Sequence, residues 1–264
     1  MRKLVVLTTV LLLSAFVISA HDTWLLPRRI AVAPGTVVWM DLTSGMAFPK
    51  LETSINPNRI DTARCRLNGK TLEIDQRTSK PNSLALGLML PESGIATCSV
   101  ELKPRRLELT PKQVDEYFAE IDAPQWVRDT WKEMKSPKRW REIYVKHSKS
   151  FVRVGNAENE QSWSKPVGMS LELVPEKDPT SLRVGDAFPL QVLKDGVPLS
   201  DFTVGIVRAG NVDIGFRTTG ADGRVSFPIT KAGKWLLRGT QLRKSSKPDA
   251  DWESDFTTLT IEVR

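Results

Sequence analysis

The sequence predicts a mainly β fold: two sandwich domains of immunoglobulin-like or transthyretin-like type with a small helical insert between them. Three observations carry this expectation. Short β-branched and aromatic runs recur between Gly, Pro and Asn turn clusters. The stretch 110–147 switches to a helical apolar period with recognisable start signals. Beyond a polar stretch at 155–166, the strand pattern resumes and runs to the C-terminus.

Before the first domain lies a segment with the plan of a secretory signal. Arg2 and Lys3 are charged, residues 4–18 are almost wholly apolar, and Ser19-Ala20 places a small residue before a cleavage point. The apolar run is short of the roughly 20 residues that a membrane-spanning helix needs. Export and cleavage are therefore expected, leaving a periplasmic or secreted chain that begins at His21 and has no membrane span. The expected organisation is 1–20 signal, 21–109 first sandwich, 110–165 helical insert and linker, and 166–264 second sandwich.

In the first sandwich, residues 36–42 are β-branched and aromatic, bounded by Pro34-Gly35 and Ser44-Gly45. Strand-like runs at 64–67 and 71–75 flank Asn68-Gly69, a dipeptide suited to the left-handed positions of a two-residue hairpin turn. Runs at 83–90 and 95–103 follow. Cys65 and Cys98, the two cysteines of the chain, each sit in a strand-like stretch and in an exported protein read as a disulfide.

The insert opens on Thr110-Pro111-Lys112-Gln113, a capping box with proline at the first helical position. Val114, Tyr117, Phe118 and Ile121 then recur at helical spacing. A second start at Ala123-Pro124 carries Val127, Trp131 and Met134, and a third at Ser136-Pro137 carries Trp140, Ile143 and Tyr144. Trp126, Trp131 and Trp140 fall among these apolar positions and read as packing anchors. His147 lies where the last helix meets a strand. The second sandwich is read from runs at 188–193, 202–207, 214–218, 224–229, 234–242 and 257–263, with turns at Asp195-Gly196 and Asp222-Gly223.

Charge narrows the function classes. The formal net charge is +7, about +5 once Arg2 and Lys3 are removed, and it is spread without a basic block interleaved with aromatics, so no nucleic-acid partner is expected. No Gly-x-Ser-x-Gly elbow, His-Glu-x-x-His or phosphate-binding loop is present, and the chain reads as a non-enzyme. His21 and His147 are its two histidines. A mature N-terminal His21 offers a metal its α-amine and its own Nδ1, a two-nitrogen chelate that suits nickel, cobalt or copper. His147 is then expected to add a third nitrogen, with Asp22 or Asp251 supplying an oxygen.

Residues 21–25, 149–155, 171–175, 191–199, 221–224, 233–238 and 251–254 resemble, in order, the exported proteins described as an accessory periplasmic component of nickel uptake, whose domain is otherwise of unknown function. The resemblance implies transition-metal binding and an envelope metal transporter as partner. The chain is also similar to exported copper-resistance proteins of immunoglobulin-like fold in its mature N-terminal histidine. It departs from the nickel-uptake pattern at Gln241, near which that family often has histidine, and at His147, where an aromatic is more usual. The alternative reading is a metal-free sandwich that binds a protein or a cell-wall glycan.

Overall fold

In a computed structural model, residues 21–158, 160–211 and 215–264 are described. The expected signal segment lies outside the described residues. The chain runs through β1 (Asp22–Pro27), β2 (Ala31–Val32), β3 (Thr36–Gly45), β4 (Thr53–Ser54), β5 (Ile60–Leu67), β6 (Lys70–Glu73), β7 (Gln76–Ser79), β8 (Leu84–Leu90) and β9 (Gly94–Leu109). Helices α1 (Pro111–Glu120) and α2 (Gln125–Glu133) follow. Strand structure returns with β10 (Trp140–Val154), β11 (Leu171–Pro175), β12 (Ala187–Lys194), β13 (Val197–Pro198), β14 (Thr203–Arg208), β15 (Gly215–Thr218), β16 (Arg224–Pro228), β17 (Gly233–Lys244) and β18 (Trp252–Val263).

The fold is mainly β and sandwich-like, as the turn spacing predicts. Its centre is a nine-stranded sheet in the order β15-β14-β17-β18-β10-β9-β5-β6, with β2 beside β10. A five-stranded sheet (β1-β3-β8-β7, with β4) and a four-stranded sheet (β11-β12-β13, with β16) complete the layers. Successive side chains of a strand point to opposite faces, and the two cores follow that rule. Ala96, Cys98, Val100, Val152 and Val154 enter the core beneath the five-stranded sheet, while Ile95, Phe151, Leu259 and Ile261 enter the core beneath the four-stranded one. The two sandwiches therefore share the central sheet, one on each face, and this sheet runs unbroken past the boundary drawn at residue 165.

Local signals hold where the chemistry is local. Asn68 and Gly69 both adopt positive φ (50° and 77°) and join β5 to β6, with Leu67 opposite Lys70. The capping box at Thr110 and Gln113 starts α1, which buries Val114, Tyr117 and Phe118. Cys65 and Cys98 stand directly opposite each other on β5 and β9 and form the expected disulfide.

Two expectations are corrected. The third helix does not form: Trp140, Ile143 and Tyr144 belong to β10, which pairs with β9 on one side and runs parallel to β18 on the other. The apparent helical period is a coincidence of spacing across both faces of a strand: Trp140 is buried, Ile143 and Tyr144 are only half-buried, and the bulge that follows places its extra residue on β9, where Tyr144 faces Arg105 and Lys146 faces Leu102. Trp126 is not a packing anchor, because 46% of its surface is exposed, whereas Trp131 and Trp140 are buried. Trp140 stacks on Trp252 of the neighbouring strand with ring centroids 4.5 Å apart and meets Tyr117, Phe118 and Trp131 edge to face, which fixes the helices onto the sheet.

Candidate functional site

The first residues of β1 are tied at almost every step. Asp22 is ion-paired with Arg238. The Thr23 carbonyl accepts hydrogen bonds from Ser148 Oγ (2.8 Å) and Thr258 Oγ1 (2.6 Å). Trp24 is buried and meets Phe48 edge to face at 5.6 Å. His21, half-buried, has its carbonyl held by the ammonium of Lys146. Burial, then the Lys146 charge, lowers the His21 pKa, while Glu52 and Asp22 pull the other way, so the imidazole is kept neutral. Burial pushes Lys146 itself down to about 8.

The structure does not bring His147 to this place. Lys146 and Ser148 reach β1, so by alternation His147 projects from the opposite face of β10. There it is buried, with Nε2 3.2 Å from Asp255 Oδ1 and 3.0 Å from Ser170 Oγ. Glu101 Oε2 lies 3.1 Å from Nδ1, an ion-pair contact outside the angle of a proper hydrogen bond. Both ring nitrogens thus face carboxylates, and the shared-ion arrangement of His21 with His147 is lost for a simple reason of pleat. Burial alone would lower the His147 pKa, but Asp255 and Glu101 outweigh it and raise it. A protonated imidazole has no lone pair for a metal.

The carboxylates expected as ligands are likewise engaged. Asp251 forms a two-point pair with Arg141 at 2.9 and 2.7 Å. It also precedes Trp252 by one residue, which puts it roughly 16 Å along β18 from Phe256, the partner of Lys146. Asp22 is committed to Arg238. Among the described residues, no group of three or more His, Cys, Asp or Glu side chains is arranged to hold a metal ion.

What sequence reasoning missed is the ionic seam on the far face of β10. Asp255 accepts from Ser170 Oγ (2.7 Å) and Arg243 (2.6 Å), with Lys194 at 3.4 Å. Burial opposes its ionisation, yet the hydrogen bonds from His147 and Ser170 hold its carboxyl well below the usual range. Two residues beyond His147 on β10, Lys149 pairs with Glu172 at 2.6 Å, each side chain 1% exposed. Nothing local in the sequence marks these residues, whose partners come from β9, β11 and β18.

The seam gives a pH prediction. A histidine whose folded pKa is raised contributes stability that is fully present below its unfolded pKa, about 6.5, and is lost as pH rises through the folded value. Thermal melts between pH 6 and 8 are expected to show midpoints falling with pH, and His147→Gln to flatten that slope. His21, with its lowered pKa, acts in the opposite sense near pH 6 and is common to both proteins, so an equal slope in the parent and in His147→Gln would contradict the assignment. Lys146 acts in the opposite sense, adding stability between about 8 and 10.5, so the measurement stops at pH 8.

Fold and site together define a sandwich-type β protein with an internal disulfide and a tied-down first strand. The chain belongs to the family described as domain of unknown function DUF4198, which matches residues 18–241. No curated protein matches it. Among solved structures it is similar to the D0-D1 domain of intimin (11% identity, 91% of this chain and 97% of that one, TM-score 0.22). It is also similar to the Yersinia pseudotuberculosis adhesin InvE (13% identity, 90% and 58%, TM-score 0.24). A third is the Bacteroides ovatus mixed-linkage glucan utilization locus SGBP-B (9% identity, 91% and 46%, TM-score 0.23).

Proposed function

We propose that the exported, cleaved chain binds a divalent transition ion (nickel, cobalt or copper) at His21 alone, and passes it to or buffers it for an envelope transporter. The observation that supports this reading is the anchoring of β1. With Asp22, Thr23 and Trp24 fixed, the α-amine released by cleavage stands beside an imidazole kept neutral, so the two-nitrogen chelate needs little further ordering. The amine has a reference pKa of about 7.7–8.0 and releases its proton far more easily than an ordinary lysine. The disulfide fits an oxidising compartment outside the cytoplasm.

His147, Asp22 and Asp251 leave the ligand set, since removing any of them from its ion pair would strand a partner charge. Open positions on the ion are then filled by water or by the receiving partner's ligands, which makes release easy. Titration of the protein beginning at His21 with Ni(II), Co(II) and Cu(II) is expected to give one equivalent bound. One added residue before His21 should weaken binding by at least about tenfold, the effect of losing roughly 1.4 kcal/mol. His147→Gln should leave the affinity unchanged. An extended chain that binds as well as the mature one would end this reading.

A second reading, a metal-free binding module, is favoured by the internal engagement of three of the four expected ligands. It prevails if the mature protein emerges empty from dialysis against all three ions.

A further inference from the structure

Between β14, β15 and β17 of the central sheet and β16 of the four-stranded sheet lies a cleft of about 630 Å³, within the roughly 300–1,000 Å³ of ligand pockets. Register decides which side chains face it. Val204, Ile206 and Arg208 alternate onto one face of β14, and because Val204 and Ile206 belong to the core of the second sandwich, Arg208 points inward at the end of that row. Directly opposite residues share a face, so Arg217 (opposite Val204), Gly215 (opposite Ile206) and Trp235 (opposite Arg208) lie on the same inner side. Phe227 of β16 and Lys231 in the loop after it complete the lining that matters.

The charge of this cleft has one sign. Arg208, Arg217 and Lys231 line it, and no described Asp or Glu does. Arg217 donates to the Ser226 carbonyl oxygen at 2.8 Å and stands 5.8 Å from the centre of the Phe227 ring, which fixes it between β15 and β16 with further N–H groups free. Arg208 is half-buried, and no described residue holds its guanidinium by a hydrogen bond or ion pair. A charge that has lost part of its hydration without gaining a partner is costly, and an anion from outside the chain offsets that cost. Ile206, Phe227 and Trp235 are buried and form an apolar floor, and Gly215 sets no side chain over Ile206.

Spacing distinguishes one anion from a string of them. Arg217 faces Val204, four residues from Arg208, so the two start roughly 13 Å apart along the strand. Arg208 leans further away, with a guanidinium nitrogen 3.9 Å from where a Cβ on Gly233 would stand, beyond Trp235 in the β17 row. Two forks so placed do not close on a single phosphate or carboxylate. They suit a chain that repeats its negative charges, and the apolar floor between them suits one that carries C–H surface as well.

We infer that this cleft binds a short stretch of a carboxylated polysaccharide. One sugar carboxylate takes the Arg208 fork and a later one takes the free N–H groups of Arg217, each planar guanidinium matching a planar carboxylate. The C–H faces of the rings between them cover the floor over Ile206. Lys231 adds attraction at longer range. Polyphosphate matches the charges but brings no apolar surface. The site shares no residue with the His21 chelate and does not depend on it.

The test uses the mature full-length protein with a chelator present, so that no metal bridges protein and sugar. Tetragalacturonate, an alginate tetramer, the methyl ester of tetragalacturonate, a short polyphosphate and an oligothymidylate are titrated by calorimetry and amide-shift NMR. At least one of the two acidic tetramers is expected to saturate at millimolar concentration or below, with the ester, the polyphosphate and the oligonucleotide each about tenfold weaker or worse. Arg208→Gln should weaken binding by about tenfold at an unchanged melting temperature, and Arg217→Lys by several-fold. Arg29→Gln, at an exposed position on the first sandwich, should leave binding as it was. The inference is overturned if neither acidic tetramer saturates, if the ester or either phosphate polymer binds equally well, or if Arg208→Gln costs no more than Arg29→Gln. One residue added before His21 should leave sugar binding unaltered while it weakens the chelate, so this inference and the metal reading fail separately.

Discussion

Lys149→Met is expected to destabilise the protein by about 3–5 kcal/mol, the usual cost of removing one partner from a buried ion pair. Lys149 Nζ lies 2.6 Å from Glu172 Oε1, and neither side chain touches solvent appreciably. Burial drives the Lys149 pKa down, yet the carboxylate and its hydrogen bond keep the ammonium in place. Removing it strands a carboxylate in the interior. Glu172 has a second duty, because its oxygens also accept the backbone N–H groups of Val167 (2.8 Å), Gly168 (3.0 Å) and Met169 (3.3 Å). It thereby folds the start of the second sandwich against β10. The double variant Lys149→Met/Glu172→Gln removes both charges but keeps an amide oxygen for those N–H groups. It is expected to recover most of the loss, to within about 1–2 kcal/mol of the parent. Denaturant midpoints measured with the disulfide intact decide the matter: if the single variant unfolds where the parent does, the pair is not the clamp described.

Replacement of both Cys65 and Cys98 by alanine is expected to cost about 3–4 kcal/mol and lower the melting midpoint by roughly 6–16 °C. The bridge joins residues 33 apart and so restrains a sizeable loop of the unfolded chain. It lies fully buried in the core beneath the five-stranded sheet, so the loss of packing adds to the entropic effect. Because no solvent reaches either sulfur, the folded protein should resist a mild reductant that acts quickly once denaturant is added. A double variant that melts with the parent would show that the pairing of β5 with β9 does not depend on the bridge.

The hairpin at Asn68-Gly69, the capping box at Thr110 and the facing cysteines were legible because their signals are short-range or chemically exclusive. The strand β10 was only half legible. Phe151, Val152 and Val154 look like a strand, but Glu142, His147 and Lys149 look like a solvated surface. They are buried instead, at 1%, 2% and 1% exposure. Each is matched by a group contributed from a distant segment: Tyr117, Trp140 and Ser254 for Glu142, Asp255 and Glu101 for His147, Glu172 for Lys149. Trp126 and Trp131 present the converse case. Both sit in α2 with similar apolar surroundings in sequence, and only the placement of that helix, which sets Trp131 against Trp140 and leaves Trp126 at the margin beside Trp252, decides which is covered.

The same division applies to the candidate site. Sequence alone marks His21, through the signal-like segment before it, and the two histidines as the chain's imidazoles. It determined the strand-rich class, the turns, two of the three expected helix starts and the cysteine pair, all of which depend on the residues themselves or their immediate neighbours. Tertiary structure decided that His21 and His147 lie on opposite sides of the central sheet, that Asp22 and Asp251 answer to arginines, and that Trp126 stays at the surface. The reason is that a pleated strand sends neighbouring residues to opposite sides, and which distant strand lies on each side is set by packing over the whole chain.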